Sequence, residues 1–127
     1  ADTMNLASVL WTSTILLAIT AAGGLVMAGI SFKGNQHPPT WLAMLHGLLA
    51  AAAVTLLLYA AATVGLPGMA LTALVLFLVA AAGGAALNLN YHWKQLPLPR
   101  WLIIVHALAA VAGFLLLLAA TWATRGT

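Results

Sequence analysis

The chain has 127 residues, of which 65% are hydrophobic and 4% charged, and a single acidic residue stands against four Lys and Arg. A soluble domain carries about a quarter charged residues, so the composition excludes a water-soluble globule, and one carboxylate excludes paired-carboxylate catalysis and carboxylate metal cages. The absence of cysteine excludes disulfides, iron–sulfur clusters and thiolate zinc sites. Because the cations are scattered rather than clustered, we expect no nucleic-acid partner.

Four apolar runs are predicted to be helices that span a lipid bilayer. In chain order they cover about residues 6–32, 40–63, 68–89 and 100–123, and each reaches the roughly 20 residues that cross about 30 Å of hydrocarbon. The runs are continuous in Leu, Ala and Val rather than alternating, which disfavours a membrane β-barrel. Short connections rich in Pro, Gly and polar residues join neighbouring runs, so we predict an antiparallel four-helix transmembrane bundle that forms one domain over residues 1–127.

The positions of the cations predict the orientation of the chain. Lys33, Lys94 and Arg100 lie on the side of the first and third connections, whereas Arg125 alone lies with the termini. Cytoplasmic loops carry an excess of Lys and Arg, so we expect those two connections in the cytoplasm and both termini outside. The expected location is the bacterial inner membrane.

The sequence aligns with itself at an offset of 60 residues without a gap. Uncommon residue types recur in one register: Gly23-Gly24, Pro39, Trp41 and His46 correspond to Gly83-Gly84, Pro99, Trp101 and His106. We interpret the chain as two tandem helical hairpins. Each copy has an even number of spans and enters the membrane the same way, so His46 and His106 are expected at equal depth across an axis along the membrane normal.

His46 and His106 are the candidate metal ligands. Diagonal helices of a bundle lie roughly 12–14 Å apart, too far for two imidazoles at one depth to hydrogen-bond directly. The same gap suits a planar cofactor whose central metal takes one nitrogen from each ring, and haem iron is the common metal of that geometry. The alternative is a core histidine bonded to a carbonyl one turn back. A symmetric pair favours the shared ligand, because polar side chains in hydrocarbon mark functional sites.

Glycines and cations complete the candidate cofactor site. Gly23, Gly24, Gly83 and Gly84 lie within about two helical turns of the histidines in depth. They would leave a slot for a flat macrocycle, or simply allow close packing of helices. Lys33, Lys94 and Arg100 lie where the carboxylates of a haem would meet the positive N-terminal ends of the second and fourth helices, or they serve topology alone.

Two further histidines, His37 and His92, have no counterparts at the offset of 60. Both are expected in interfacial loops on one side of the membrane, where a histidine is usually solvated or anchors the boundary. The alternative roles are a partner for the carboxylates of the cofactor, a replacement ligand, a peripheral metal site or a proton carrier.

This layout resembles small four-helix membrane cytochromes of the b type, in helix number and in the symmetric His46 and His106. The resemblance implies one haem b per chain, held without covalent attachment, in an electron-transfer protein rather than a self-contained enzyme. It also implies a quinone or a redox partner protein, and it is compatible with an oligomer. Many such cytochromes hold two haems near opposite membrane faces, whereas one intramembrane histidine pair is present in this sequence.

Two other function classes remain open at the level of sequence. One is a scaffold subunit that binds haem or a pigment without turnover, since the magnesium of chlorophyll also accepts histidine. The other is a small-solute membrane transporter, which the repeat favours and the lack of an intramembrane acid disfavours.

Overall fold

The computed structural model describes residues 5–34 and 36–124, and within them every regular element is helical. In chain order these are α1 (Leu6–Gly34), α2 (Thr40–Thr63), α3 (Gly68–Ala86), a π-helical turn (Leu87–His92), here called the π segment, and α4 (Arg100–Ala123). Four helices in this part of the chain are long and apolar enough to cross a membrane, α3 being counted together with the π segment. Two charged residues lie outside the described residues. They are Asp2, the single acidic residue, and Arg125, whose charge contributed to the predicted orientation.

The predicted helices are confirmed in number and approximate extent, with differences at two ends. α1 continues to Gly34, two residues beyond the prediction. The third helix does not end near residue 89 but continues through the π segment to His92. In this wider turn the N–H of Trp93 donates to the carbonyl of Asn88, five residues earlier, at 2.8 Å. Polar residues near the end of the run indicated a loop, whereas the backbone stays helical.

Proline and glycine delimit the helices. Pro39 and Pro99 are the N-caps of α2 and α4, and their carbonyls accept the first hydrogen bonds of each helix. Gly65 follows α2 with φ of +84°, a left-handed conformation that a residue without Cβ adopts at little cost. Its N–H donates to the carbonyl of Ala60 at 2.8 Å. The polypeptide therefore turns sharply between α2 and α3.

The helices associate as two pairs. α1 makes its most extensive contacts with α2, and α3 with α4; the contacts of α1 with α4 and of α2 with α3 are smaller. We call α1 and α2 the first helix pair, and α3 and α4 the second. The beginning of α1 lies against the end of α4, where the hydroxyls of Thr14 and Thr121 are 2.9 Å apart and the rings of Trp11 and Trp122 meet edge-on.

Burial repeats along the chain at the same offset of 60 residues as the sequence. Leu10, Ser13, Thr14, Leu17 and Thr20 of α1 correspond to Ala70, Ala73, Leu74, Phe77 and Ala80 of α3, and Ala53, Leu57 and Ala60 of α2 correspond to Gly113, Leu117 and Ala120 of α4; all are buried. The internal repeat is therefore a repeat of packing as well as of residue types.

The tightly packed core lies toward one end of the bundle. Its buried side chains come from the first halves of α1 and α3 and the second halves of α2 and α4: Leu10, Leu17, Ala53, Leu57, Ala70, Ala73, Leu74, Phe77, Leu117 and Ala120. In the other half, buried side chains of the described helices are few, among them Ser31, His92 and Ile103. We call the densely packed half the core end and the other half, which contains His46 and His106, the histidine end.

Close packing at the core end gives a testable prediction. A Cβ added to Gly113 would lie 2.9 Å from the Phe77 ring, and that ring is itself buried. We expect Gly113→Ala to lower the free energy of unfolding by about 1–3 kcal/mol through overpacking, measured by thermal unfolding in detergent. Gly29→Ala is the matched control, because nothing lies within 4 Å of its added Cβ. Equal effects of both substitutions would contradict this packing.

Candidate functional site

The two predicted ligands meet at the histidine end. His46 of α2 and His106 of α4 are both half-buried, and their ring centres are 6.2 Å apart with the ring planes inclined by 65°. One ring comes from each helix pair. The structure thus brings side chains that are 60 positions apart in sequence to facing positions in the bundle.

Each ring is held by a hydrogen bond to the neighbouring helix of its own pair. Nδ1 of His46 donates to the carbonyl of Thr20 at 2.8 Å, and Nδ1 of His106 donates to the carbonyl of Ala80 at 2.7 Å. In both cases the acceptor lies 26 residues earlier in the chain. Because a carbonyl can only accept, Nδ1 carries the proton of the neutral ring, and Nε2 is left with the lone pair that binds a metal.

Two of the four predicted glycines make room for these rings. A Cβ at Gly24 would lie 2.9 Å from Cε1 of His46, and a Cβ at Gly84 would lie 3.1 Å from Cε1 of His106. Each glycine lies one helical turn after the residue whose carbonyl accepts the hydrogen bond: Gly24 after Thr20 in α1, and Gly84 after Ala80 in α3. A side chain there would push the imidazole away from its acceptor, so the contact of these glycines is with the imidazole ring itself.

The other two glycines have looser surroundings. A Cβ at Gly23 would meet Leu42 at 3.9 Å, and one at Gly83 would meet Cβ of His106 at 3.5 Å. Both are ordinary van der Waals distances. Gly23 therefore lies beside α2 without touching His46 closely, whereas Gly83 still borders His106.

The separation of the rings matches two ligands on one metal. With a metal–nitrogen bond of about 2 Å, the length typical of histidine ligands, and about 1 Å more from nitrogen to ring centre, two opposed imidazoles place their centres roughly 6 Å apart. The observed 6.2 Å agrees with that arrangement. The donor set, two neutral imidazoles with Nδ1 engaged, is one that haem iron accepts.

The predicted cations lie at the end of the bundle rather than beside the rings. Lys33, Lys94 and Arg100 are exposed, and the guanidinium of Arg100 lies 5.5 Å from the centre of the Phe32 ring. Arg100 begins α4, six residues and thus about 9 Å along the helix before His106. These charges therefore lie at the outer edge of the histidine end, beyond the two rings.

The expectation of an interfacial loop position is wrong for His92. The π segment carries this side chain inward, where it is 6% exposed and contacts Asn88 and the carbonyl of Pro38. His37 is half-buried and donates from Nε2 to the carbonyl of Leu96 at 2.6 Å. The rings of His37 and His92 are 5.5 Å apart. They hold the connection between α1 and α2 against the end of α3 and the segment that precedes α4.

Several partners in the site have no signature in the sequence. The acceptors of His46 and His106 are backbone carbonyls, which every residue carries, so Thr20 and Ala80 could not be singled out by residue type. The equal spacing of 26 residues in both copies becomes informative once the contact is known. Similarly, Pro38 and Asn88 acquire their role from the inward turn of the π segment.

The contact between glycine and histidine can be tested without any cofactor. We expect Gly24→Ala to displace the His46 ring and break its hydrogen bond to Thr20, because the added Cβ lies 2.9 Å from Cε1. The measurement is the Nδ1–H resonance of His46 in ¹⁵N-labelled protein, which should lose its protection from exchange. Gly23→Ala is the control, with its nearest contact at 3.9 Å. A protected Nδ1–H in Gly24→Ala would refute the proposed role of this glycine.

Comparison with known proteins gives no match: no protein-family model fits the chain, and no significantly similar curated protein or solved structure was found.

Proposed function

We propose that this chain is an integral membrane protein, an antiparallel bundle of two tandem hairpins, that binds one haem b between His46 and His106 and transfers electrons. The observation that carries the proposal is the pair of rings 6.2 Å apart, each with Nδ1 bonded to a carbonyl. This arrangement leaves Nε2 of each ring free to bind a metal, and the separation of the ring centres is compatible with one shared metal.

The outer surface of the bundle supports insertion into a membrane. Large apolar side chains point outward along every helix, and Leu25, Leu48 and Leu108 are each more than 60% exposed. An apolar surface of this extent favours association or aggregation in water, whereas lipid chains solvate it. The intrahelical hydrogen bonds satisfy the backbone, as a hydrocarbon environment requires.

The residues at the histidine end have distinct parts in the proposed site. His46 and His106 would hold the iron through Nε2, while the carbonyls of Thr20 and Ala80 orient the rings and raise their basicity as ligands. Haem supplies reversible one-electron chemistry when bound. The apolar helices around the rings exclude water and lower the local dielectric constant, which tunes the potential of the cofactor.

The looser packing of the histidine end favours a planar ligand. The two helix pairs contact each other less extensively than the helices within each pair, and each pair contributes one of the facing rings. A macrocycle between His46 and His106 would therefore lie between the pairs. The N-termini of α2 and α4 and the cations Lys33, Lys94 and Arg100 lie toward one end of this site, where they would attract the carboxylates of a haem.

The paired rings also bear on the alternative function of a pigment-binding scaffold. A pigment whose metal takes one histidine would use one of the two rings and leave the other without a ligand role. Two rings with the same Nδ1 hydrogen bond favour a metal that would be held by both histidines. In this proposal the electron passes near the cytoplasmic face of a bacterial inner membrane, to or from a quinone or a redox partner protein.

The proposal predicts a haem spectrum that depends on two histidines. Protein purified in detergent is expected to show sharp low-spin bands in both redox states, recorded as a reduced-minus-oxidised difference spectrum. His46→Ala and His106→Ala should each abolish those bands, since either substitution removes one of the two histidines that would hold the iron. His37→Ala and His92→Ala are the controls and should retain them. A colourless protein that does not take up added hemin would exclude the proposal.

The proposed topology predicts which connections face the cytoplasm. Because the chain has no cysteine, single cysteines can be introduced at Gln36, before α2, and at Val64, after α2. In intact spheroplasts, a thiol reagent that does not cross membranes should label Val64→Cys and leave Gln36→Cys unlabelled until the cells are lysed. The reverse pattern would invert the orientation, and equal labelling of both would contradict the transmembrane position of α2.

A further inference from the structure

The Lys and Arg side chains in the described part of the chain all lie at the histidine end, and all are exposed. Lys33 is in the last turn of α1, Lys94 lies in the turn after the π segment, and Arg100 begins α4. We call these three side chains the cationic rim. The described residues include no Asp or Glu, so the charge of the rim is balanced by anions from outside them.

Two hydrogen bonds hold the connections at this end side by side. His37 donates from Nε2 to the carbonyl of Leu96 at 2.6 Å, and His92 donates from Nε2 to the carbonyl of Pro38 at 3.0 Å. Each bond joins the connection between α1 and α2 to the chain between α3 and α4. Lys94 lies two residues after His92 and is therefore held beside the connection that follows α1.

A contact with an aromatic ring sets the direction of the Arg100 side chain. Its guanidinium lies 5.5 Å from the centre of the Phe32 ring, a distance at which the face of a ring attracts a cation. Phe32 immediately precedes Lys33 in α1, so the cations of α1 and α4 lie at the same edge of the bundle. Like charges repel each other, and an anion bound beside both offsets that repulsion.

Three tryptophan side chains indicate the depth of the rim in a membrane. Trp41, Trp93 and Trp101 are each more than half exposed, and indole rings concentrate at the level of lipid headgroups. Trp93 directly precedes Lys94. Trp101 directly follows Arg100. The charges therefore lie at the same level as the indoles, where the phosphates of the lipids lie.

The core end has no comparable surface among its described residues. Its two tryptophans, Trp11 and Trp122, contact each other edge-on, and no Lys or Arg is described at that end. The described surface thus attracts anionic headgroups at one end of the bundle only.

We propose that the cationic rim binds the phosphate group of an anionic phospholipid in the leaflet that surrounds the histidine end. A phosphodiester oxygen accepts charge-assisted hydrogen bonds from guanidinium and ammonium groups. A zwitterionic lipid carries the same phosphate together with a cation, which the rim repels, so the anionic lipid is preferred. This inference rests on the proposed position of the bundle in a membrane and is independent of the proposed cofactor.

Lipid preference is tested by native mass spectrometry of the protein purified in detergent. Phosphatidylglycerol is compared with phosphatidylcholine of the same acyl chains, and glycerol phosphate represents the free anion. We expect phosphatidylglycerol to bind about tenfold more tightly than phosphatidylcholine, with no competition from an equal concentration of glycerol phosphate. Equal binding of the two lipids would overturn the proposal. Competition by glycerol phosphate would also overturn it, because the rim would then hold free phosphate.

Charge replacement tests the residues of the rim. In the triple variant Lys33→Gln, Lys94→Gln and Arg100→Gln, the preference for phosphatidylglycerol should disappear. The matched control, Lys33→Arg, Lys94→Arg and Arg100→Lys, keeps every charge and should retain it. Because these side chains are exposed, both variants should keep the helical circular dichroism of the wild type. An unchanged preference in the neutral variant, or its loss in the charged control, would exclude the rim as the binding site.

The location of the lipid can be measured without any substitution. A spin label on the headgroup of phosphatidylglycerol should broaden the indole N–H resonances of Trp93 and Trp101 more than those of Trp11 and Trp122 in ¹⁵N-labelled protein. Phosphatidylcholine with a headgroup label should broaden both ends alike. Equal broadening by labelled phosphatidylglycerol would contradict the proposal. Failure to bind haem would overturn the proposed function and leave these measurements unaffected.

Discussion

An imidazole inside an apolar bundle has two nitrogens to satisfy, and the surroundings offer few polar partners. In this protein the same solution occurs twice: Nδ1 donates to a backbone carbonyl of the neighbouring helix, at 2.8 Å for His46 and 2.7 Å for His106. An accepting carbonyl in hydrocarbon is strongly preferred to an unpaired N–H. The bond fixes the tautomer, sets the direction of the ring and determines which nitrogen remains for a metal.

That hydrogen bond constrains the helices around it. The ring edge can approach the carbonyl only because Gly24 and Gly84 lie one turn further along α1 and α3, where a Cβ would lie about 3 Å from Cε1. The glycines thus define how closely each helix pair packs at the histidine end. Contact within each pair is extensive, contact between the pairs is smaller, and the facing rings lie where the two pairs meet.

The two ends of the bundle differ in how densely they are packed. At the core end, Leu57, Phe77 and Leu117 bury their side chains, and the hydroxyls of Thr14 and Thr121 join α1 to α4. These contacts stabilise the bundle independently of the histidine rings. The histidine end has fewer buried side chains in its described helices, so the association of the helices depends mainly on the core end.

The sequence by itself determined the features that depend on residue type and spacing. Helix number and extent followed from apolar runs of membrane-spanning length, and the match of His46 with His106 followed from a repeat that keeps Gly, Pro, Trp and His in register. The apolar runs are a local signal, and the repeat is found by comparing one segment of the sequence with another. Facing positions for the two rings were expected, because the predicted tandem hairpins would place equivalent residues at equal depth.

The tertiary structure alone decided the partners of those residues. The acceptors Thr20 and Ala80 contribute carbonyls, which no sequence pattern distinguishes, and Gly24 rather than Gly23 faces a ring because helix rotation, not composition, directs each position. His92 was expected in an interfacial loop, whereas the π segment turns it inward to Asn88 and Pro38. One extra residue in a turn rotates every following side chain about the helix axis, and that rotation depends on packing between helices rather than on the local sequence.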